Sequence, residues 1–303
     1  MKKITIWILA GLLTAACGGR EEADTESQMM GGWPTDTAWM KVAVMPTLDC
    51  LPLYVAADKG MFERHGASVS LYDYESQMDC DTALVNGWVN AMVTDLVRAR
   101  RLQRDSVALS YLTATDLHWQ LLALPQSQVE RLGQLEHKMV AMTRFSATAM
   151  LADQLVASAG INDDYVFRIQ VNSLAVRLSM MEAGIMDVSF LPEPQATAAR
   201  LMDCRVVYDT QWNDVQMGAV VLRQSMETDT LCDRQKTAFL QAYNEACDSI
   251  NTYGVKTYGD LIRLRCHVDT EVVDSLSADI RFSEAHQPRR TDIDRADKWL
   301  EKP

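Results

Sequence analysis

The chain has 303 residues, with 29 basic against 41 acidic side chains and a formal net charge of −12. An acidic balance of this size argues against nucleic acid or anionic lipid as the partner, and the length suits two lobes better than one small core. The seven cysteines include no Cys-x-x-Cys and no Cys/His pair at metal-ligand spacing, so neither a zinc site nor a cofactor is expected.

Residues 1–17 read as a secretion leader: Lys2 and Lys3, then an apolar run from Ile4 to Ala16 that is too short to cross a bilayer. The run closes on Thr14-Ala-Ala-Cys17, which resembles a lipobox, with Cys17 as the residue that would be acylated. Residues 18–37 are rich in Gly, Glu, Asp, Ser and Thr and have the composition of a flexible tether. The expectation is a lipoprotein whose only membrane attachment is that lipid, on the inner or outer membrane or at the cell surface.

From residue 41 strands alternate with helices. An apolar strand at 41–45 stops at Pro46, and a helix starting at Leu51 runs into a turn punctuated by Gly60 and Gly66. A strand at 68–74, a helix at 79–87 and a strand at 89–93 follow, with a short helix at 96–102. Strands are expected at 107–112 and 119–124, before Pro125 interrupts the pattern. A second series then gives strands at 138–142, 166–171, 187–191 and 205–208, with helices after Ser146 and at 174–184. Residues 217–222 read as a strand returning to the first lobe, and the remainder reads as helices at 229–253, 258–264, 270–276 and 292–300. Such alternation predicts parallel sheets built from right-handed βαβ units, whose ligands sit at the carboxyl ends of the strands.

The ordered series Leu51-Pro-Leu-Tyr-Val-Ala, Lys59-Gly-Met-Phe, Gly66-Ala-x-Val, Ala83-Leu-Val-Asn-Gly87 and Asn90-Ala resembles the start of a type II periplasmic binding protein. The similarity is greatest to the nitrate/sulfonate/taurine and thiamine-pyrimidine-precursor branch of ABC-transporter substrate-binding proteins. It extends in weaker form to the Trp299-Leu300 ending. The resemblance implies an α/β fold of two lobes, each a mixed, mainly parallel sheet flanked by helices. Lobe 1 would comprise 38–124 and 217–303, lobe 2 would comprise 125–216, and two hinge crossings would lie near Leu124 and Met217. It further implies a periplasmic monomer without enzymatic activity, which captures a small molecule between the lobes and delivers it to an ABC permease. A surface or sensory ligand-binding lipoprotein is the alternative. A pyrimidine-synthase-like enzyme is a minor one, since the contiguous cysteine run of that relative is missing.

The strand ends nominate the site. Thr47, Asp49, Tyr54, Ser76, Gln77, Thr94, Asp95 and Trp119, together with His118, come from the first lobe. Arg144, Ser146, Asn172, Glu193 and Trp212 come from the second. Several of these positions are equally suited to helix N-caps. Asp49, Asp95, Asp116 and Glu193 outnumber Arg144, and aromatic residues lie in the same loops. That balance favours a flat, nitrogen-bearing or cationic ligand over an oxyanion. Cys50 and Cys80 each follow the end of neighbouring strands, and a disulfide between them is expected.

Overall fold

The computed structural model describes residues 38–224 and 230–301. The expected leader, the lipid acceptor Cys17 and the tether 18–37 lie outside the described residues. Strand β1 (Met40–Val44) leads through a 3-10 turn into helix α1 (Leu51–Asp58). Pro52 stands in the first turn of α1, where its missing amide proton is one the helix leaves unpaired anyway. Helix α2 (Met61–His65) is framed by Gly60 and Gly66, both left-handed at φ 63° and 79°, a conformation glycine adopts without steric cost. Then come β2 (Val69–Asp73), α3 (Gln77–Val85), β3 (Ala91–Asp95), α4 (Leu96–Arg104), β4 (Leu109–Thr115) and β5 (Gln120–Ala123). The second series is β6 (Met139–Met142), α5 (Ala147–Ser158), β7 (Phe167–Gln170), α6 (Leu174–Glu182), β8 (Val188–Leu191), α7 (Gln195–Leu201) and β9 (Arg205–Asp209). Strand β10 (Gly218–Arg223) and helices α8 (Thr230–Tyr253), α9 (Gly259–Cys266), α10 (Thr270–Asp274) and α11 (Arg290–Leu300) complete the chain.

The strands form two five-stranded sheets of the same pattern, ordered β2-β1-β3-β10-β4 and β7-β6-β8-β5-β9. In each, three strands pair in parallel, and one antiparallel strand, β10 or β5, joins the fourth to them. The antiparallel strand is in both cases the one that enters from the other sheet. Segment 119–124, expected in the first lobe, therefore belongs to the second sheet. The first crossing lies between Thr115 and Gln120 rather than near Leu124, and the second lies between Asp209 and Gly218. An apolar run of that length marks a strand without marking its neighbours. Residues 280–283, between α10 and α11, form neither strand nor helix.

Alternation along β1 divides the core. Val42 and Val44 face a cluster with Phe62, Phe239, Ile250 and Ile262 beneath α1, α2, α8 and α9. Ala43 joins Met92 and Val221 on the opposite face, in a cluster continuous with Val140, Val188 and Phe190 of the second sheet. Helix α11 ties the two parts together: Asp297 accepts from Nε and Nη2 of Arg100 on α4 at 2.8 and 2.9 Å, and Trp299 Nε1 donates to Asp153 Oδ2 on α5 at 2.8 Å. Arg177, wholly buried, donates to the carbonyls of Val171 and Phe190 and to Thr143 Oγ1, bracing the loop ahead of α5.

The same division corrects the disulfide. Cys50 packs in the first cluster and Cys80 in the second, on opposite faces of one sheet, and both are free thiols. Strand order places them at adjacent strand ends, but the loops that follow leave the sheet on different sides.

Candidate ligand-binding site

The carboxyl ends of the two sheets meet. Leu48 N donates to the Glu193 carbonyl at 2.8 Å, and Gln195 Nε2 donates to the Pro46 carbonyl at 2.7 Å. Beside these contacts lies a cavity of about 370 Å³, within the range of small-molecule sites. Its walls are Leu48 and Asp49 after β1, Asp116–His118 and Gln120 in the first crossing, and Pro192 and Glu193 after β8. Arg200 on α7, Gln211, Ser277 and residues 279–282 complete it.

Asp49 is the most deeply buried charged group in that wall, at 4 % exposure. Its Oδ2 accepts from Thr115 Oγ1 at 2.9 Å, whereas Oδ1 is buried without a hydrogen-bond partner among the protein's atoms. Burial pushes the carboxyl above its ordinary range, opposed by the hydroxyls of Thr47 and Thr115. The Thr47 hydroxyl also lies 3.5 Å from Cys50 Sγ. Thr115 holds its position because β10 opens with glycine: a Cβ on Gly218 would overlap Thr115 Oγ1 and stand 2.6 Å from Leu117 Cβ.

The other charged residues in the wall have partners, Asp279 apart, which is exposed. Glu193 accepts from Arg200 Nη2 at 2.7 Å and from Thr197 Oγ1 at 2.7 Å, and Arg200 also donates to Gln120. Asp116 accepts from the amide and hydroxyl of Ser283 at 2.7 and 2.8 Å, clipping the C-terminal segment to the crossing. Arg281 donates to the carbonyls of Ala278 and Ile280. His118 Nδ1 is buried and unpartnered, and burial lowers the imidazole pKa, so the ring is neutral near pH 7.

Of the residues nominated by the sequence, Asp49 and Glu193 line this cavity, with His118 and Asp116 beside them. Thr47 and Trp119 are buried next to lining residues; the Trp119 indole Nε1 and Thr94 Oγ1 have no partner. Ser76, Asp95 and Ser146 are N-caps, accepting from Asp79 N, Arg98 N and Thr148 N. Gln77 is buried in the first turn of α3. Tyr54 is a core residue whose hydroxyl donates to the Met45 carbonyl at 2.6 Å. Arg144 is exposed and outside the cavity, in a turn whose carbonyl accepts from Arg98 and whose Phe145 lies 4.1 Å beneath the Arg101 guanidinium. Asn172 accepts from Gln170, and Trp212, 64 % exposed, meets Tyr208 edge-on. Arg200, Gln120 and the wall 279–282 escaped the sequence reading. The one signal for that wall was Asp116 at a strand end with no helix after it to cap.

A second buried polar group lies at the end of β3. Asp95 is fully buried, and desolvation raises its carboxyl to about 6, against the favourable charge of Arg98 and the amides of Arg98 and Ala147. Arg98 pairs with Asp81. Among the described residues no group of three or more His, Cys, Asp or Glu side chains is placed to hold a metal, and no helix is long and apolar enough to cross a membrane.

No curated protein sequence matches the chain. Solved structures share its fold. One is the ligand-binding component of an ABC-type import system from Staphylococcus aureus, solved with zinc bound (TM-score 0.70, 13 % identity, 86 % of this chain and 90 % of that one). A second is the periplasmic aliphatic sulphonate binding protein SsuA of Escherichia coli (0.70, 15 %, 86 % and 86 %). A third is the periplasmic nitrate-binding protein NrtA of Synechocystis PCC 6803 (0.65, 14 %, 82 % and 74 %). A family model described as NMT1/THI5 like matches residues 47–248, more than half of the sequence, from the loop after β1 to helix α8, and the chain belongs to that family.

Proposed function

We propose that this protein is the substrate-binding component of an ABC importer, a binder rather than an enzyme. It captures a small molecule between its two lobes and presents it to a membrane permease. The observation that carries this reading is the cavity at the meeting of the strand ends, with Asp49 supplied by the first sheet, Glu193 by the second and 116–120 by the crossing between them. Two crossings allow one lobe to rotate against the other, and a ligand that touches both walls stabilises the closed arrangement. The folds of the sulphonate- and nitrate-binding neighbours support the reading. Acylation at Cys17 would keep the protein at the membrane surface within reach of the permease. The test is native mass spectrometry of the gently purified protein together with small-angle scattering before and after ligand stripping. A released small molecule and an expansion on its removal are expected. A ligand-free protein whose scattering is unchanged by any extraction refutes the reading.

A further inference from the structure

We infer that the cavity selects a small cation and that Asp49 is the residue that reads its charge. This inference rests on the proposed ligand-binding role and names the ligand class. Four carboxylates and two guanidinium groups stand in the wall. Glu193 and Arg200 satisfy one another, Asp116 is held by Ser283, Asp279 is exposed to solvent, and Arg281 donates to the carbonyls of Ala278 and Ile280. Asp49 has no basic partner within ion-pair distance, and its Oδ1, at a residue exposure of 4 %, makes no hydrogen bond. A buried carboxylate in that condition is costly unless a donor bearing positive charge reaches it. A bound anion would add a second negative charge to the same cavity, where Arg200 is already paired with Glu193 and Arg281 donates its Nη1 to backbone carbonyls. An ammonium, amidinium or protonated aminoheterocycle of one ring meets Oδ1 with an N–H and fits within about 370 Å³.

The carboxylate is also positioned for that role. Thr115 occupies Oδ2 from the last residue of β4, and Gly218 leaves room for that hydroxyl, so Oδ1 is the oxygen left for the ligand. The neutral His118 ring and the Phe282 side chain provide uncharged flanks. Thr115 and Gly218 are therefore positioning residues, and Asp49 is the contact residue.

The experiment uses the mature chain, stripped of carried ligand, in calorimetric titrations at pH 7.5 with fixed salt. Probes are 4-amino-5-aminomethyl-2-methylpyrimidine, histamine and benzylammonium as cations, and isethionate, methanesulfonate and nitrate as anions. Binding of at least one cation and of no anion is expected, with affinity falling at least thirtyfold in Asp49→Asn and about threefold to tenfold in Thr115→Val. Circular dichroism checks that both variants fold. Should Asp49→Asn fail to fold, the cation-over-anion preference of the wild type and the Thr115→Val loss decide the matter. Anion binding that Asp49→Asn leaves intact overturns the cation inference while the binding role stands. Binding of none of the six probes counts against the inference, and if purified protein also carries no small molecule, the binding role fails with it.

Discussion

Replacing Gly218 with alanine probes the geometry on which the site depends. The added methyl would overlap Thr115 Oγ1, stand 2.6 Å from Leu117 Cβ and lie 3.2 Å from the Thr115 carbonyl oxygen. Leu117 and Thr115 are 3 % exposed, so neither neighbour can swing into solvent. Overpacking of a closed core costs about 1–3 kcal/mol. Displacing the Thr115 hydroxyl also removes its hydrogen bond to a buried carboxylate, worth about 1.5–3 kcal/mol. A loss of roughly 3–5 kcal/mol is expected, a fall in Tm of about 6–20 °C for a chain of this size. Thr115→Ala alone removes the hydrogen bond and should cost about 2 kcal/mol. In the double variant the hydroxyl is no longer there to be displaced. The combined loss should then fall short of the sum by about 1–2 kcal/mol, with the remaining cost set by Leu117. Urea unfolding of the four proteins, followed by tryptophan fluorescence, measures the cycle. A Gly218→Ala protein within 0.5 kcal/mol of wild type, or strictly additive losses, would refute the account of how Asp49 is held.

Three other outcomes follow from the same coordinates. Asp95, raised to about 6 by burial, favours its protonated form in the fold, so its contribution to stability is full below about pH 4 and is lost as the pH rises through 6. Asp95→Asn should therefore gain on wild type between pH 4 and pH 8 by on the order of 3 kcal/mol, with Arg98 and Asp81 the charged groups facing it; a Tm difference independent of pH contradicts this. Asp116→Ala should release the C-terminal wall from the crossing, seen as faster amide exchange over 281–285 with β1 and β3 unchanged. Finally, peptide mapping without reduction should recover Cys50 and Cys80 unlinked, with alkylation of both slow until the protein unfolds; a linked pair means that one of the two loops leaves the sheet on the other side.

The order of elements was legible in the chain because hydrophobic periodicity and turn residues are local properties. The βαβ series, the glycine frame of α2 and the capping serines 76 and 146 all come from neighbours within a few positions. The expectation of parallel sheets met at their carboxyl ends followed from that order. What stayed hidden depends on which distant strand a segment joins. The apolar run at 119–124 says that a strand lies there, but not that its neighbours are β8 and β9. For the same reason the cysteines after β1 and β2 read as neighbours, although they lie in different cores on opposite faces of the sheet. The cavity follows this rule as well. Asp49 and Glu193 were visible as polar residues at strand ends, a sequence-local property. That Glu193 pairs with Arg200 seven residues on, that residues 279–282 return to form a third wall, and that Asp49 keeps a buried oxygen without a hydrogen bond are settled only in the folded chain. Composition set the excess of carboxylates; only the tertiary structure decided which of those in the wall kept an unpartnered oxygen, because the pairing of charges depends on distance and orientation in space.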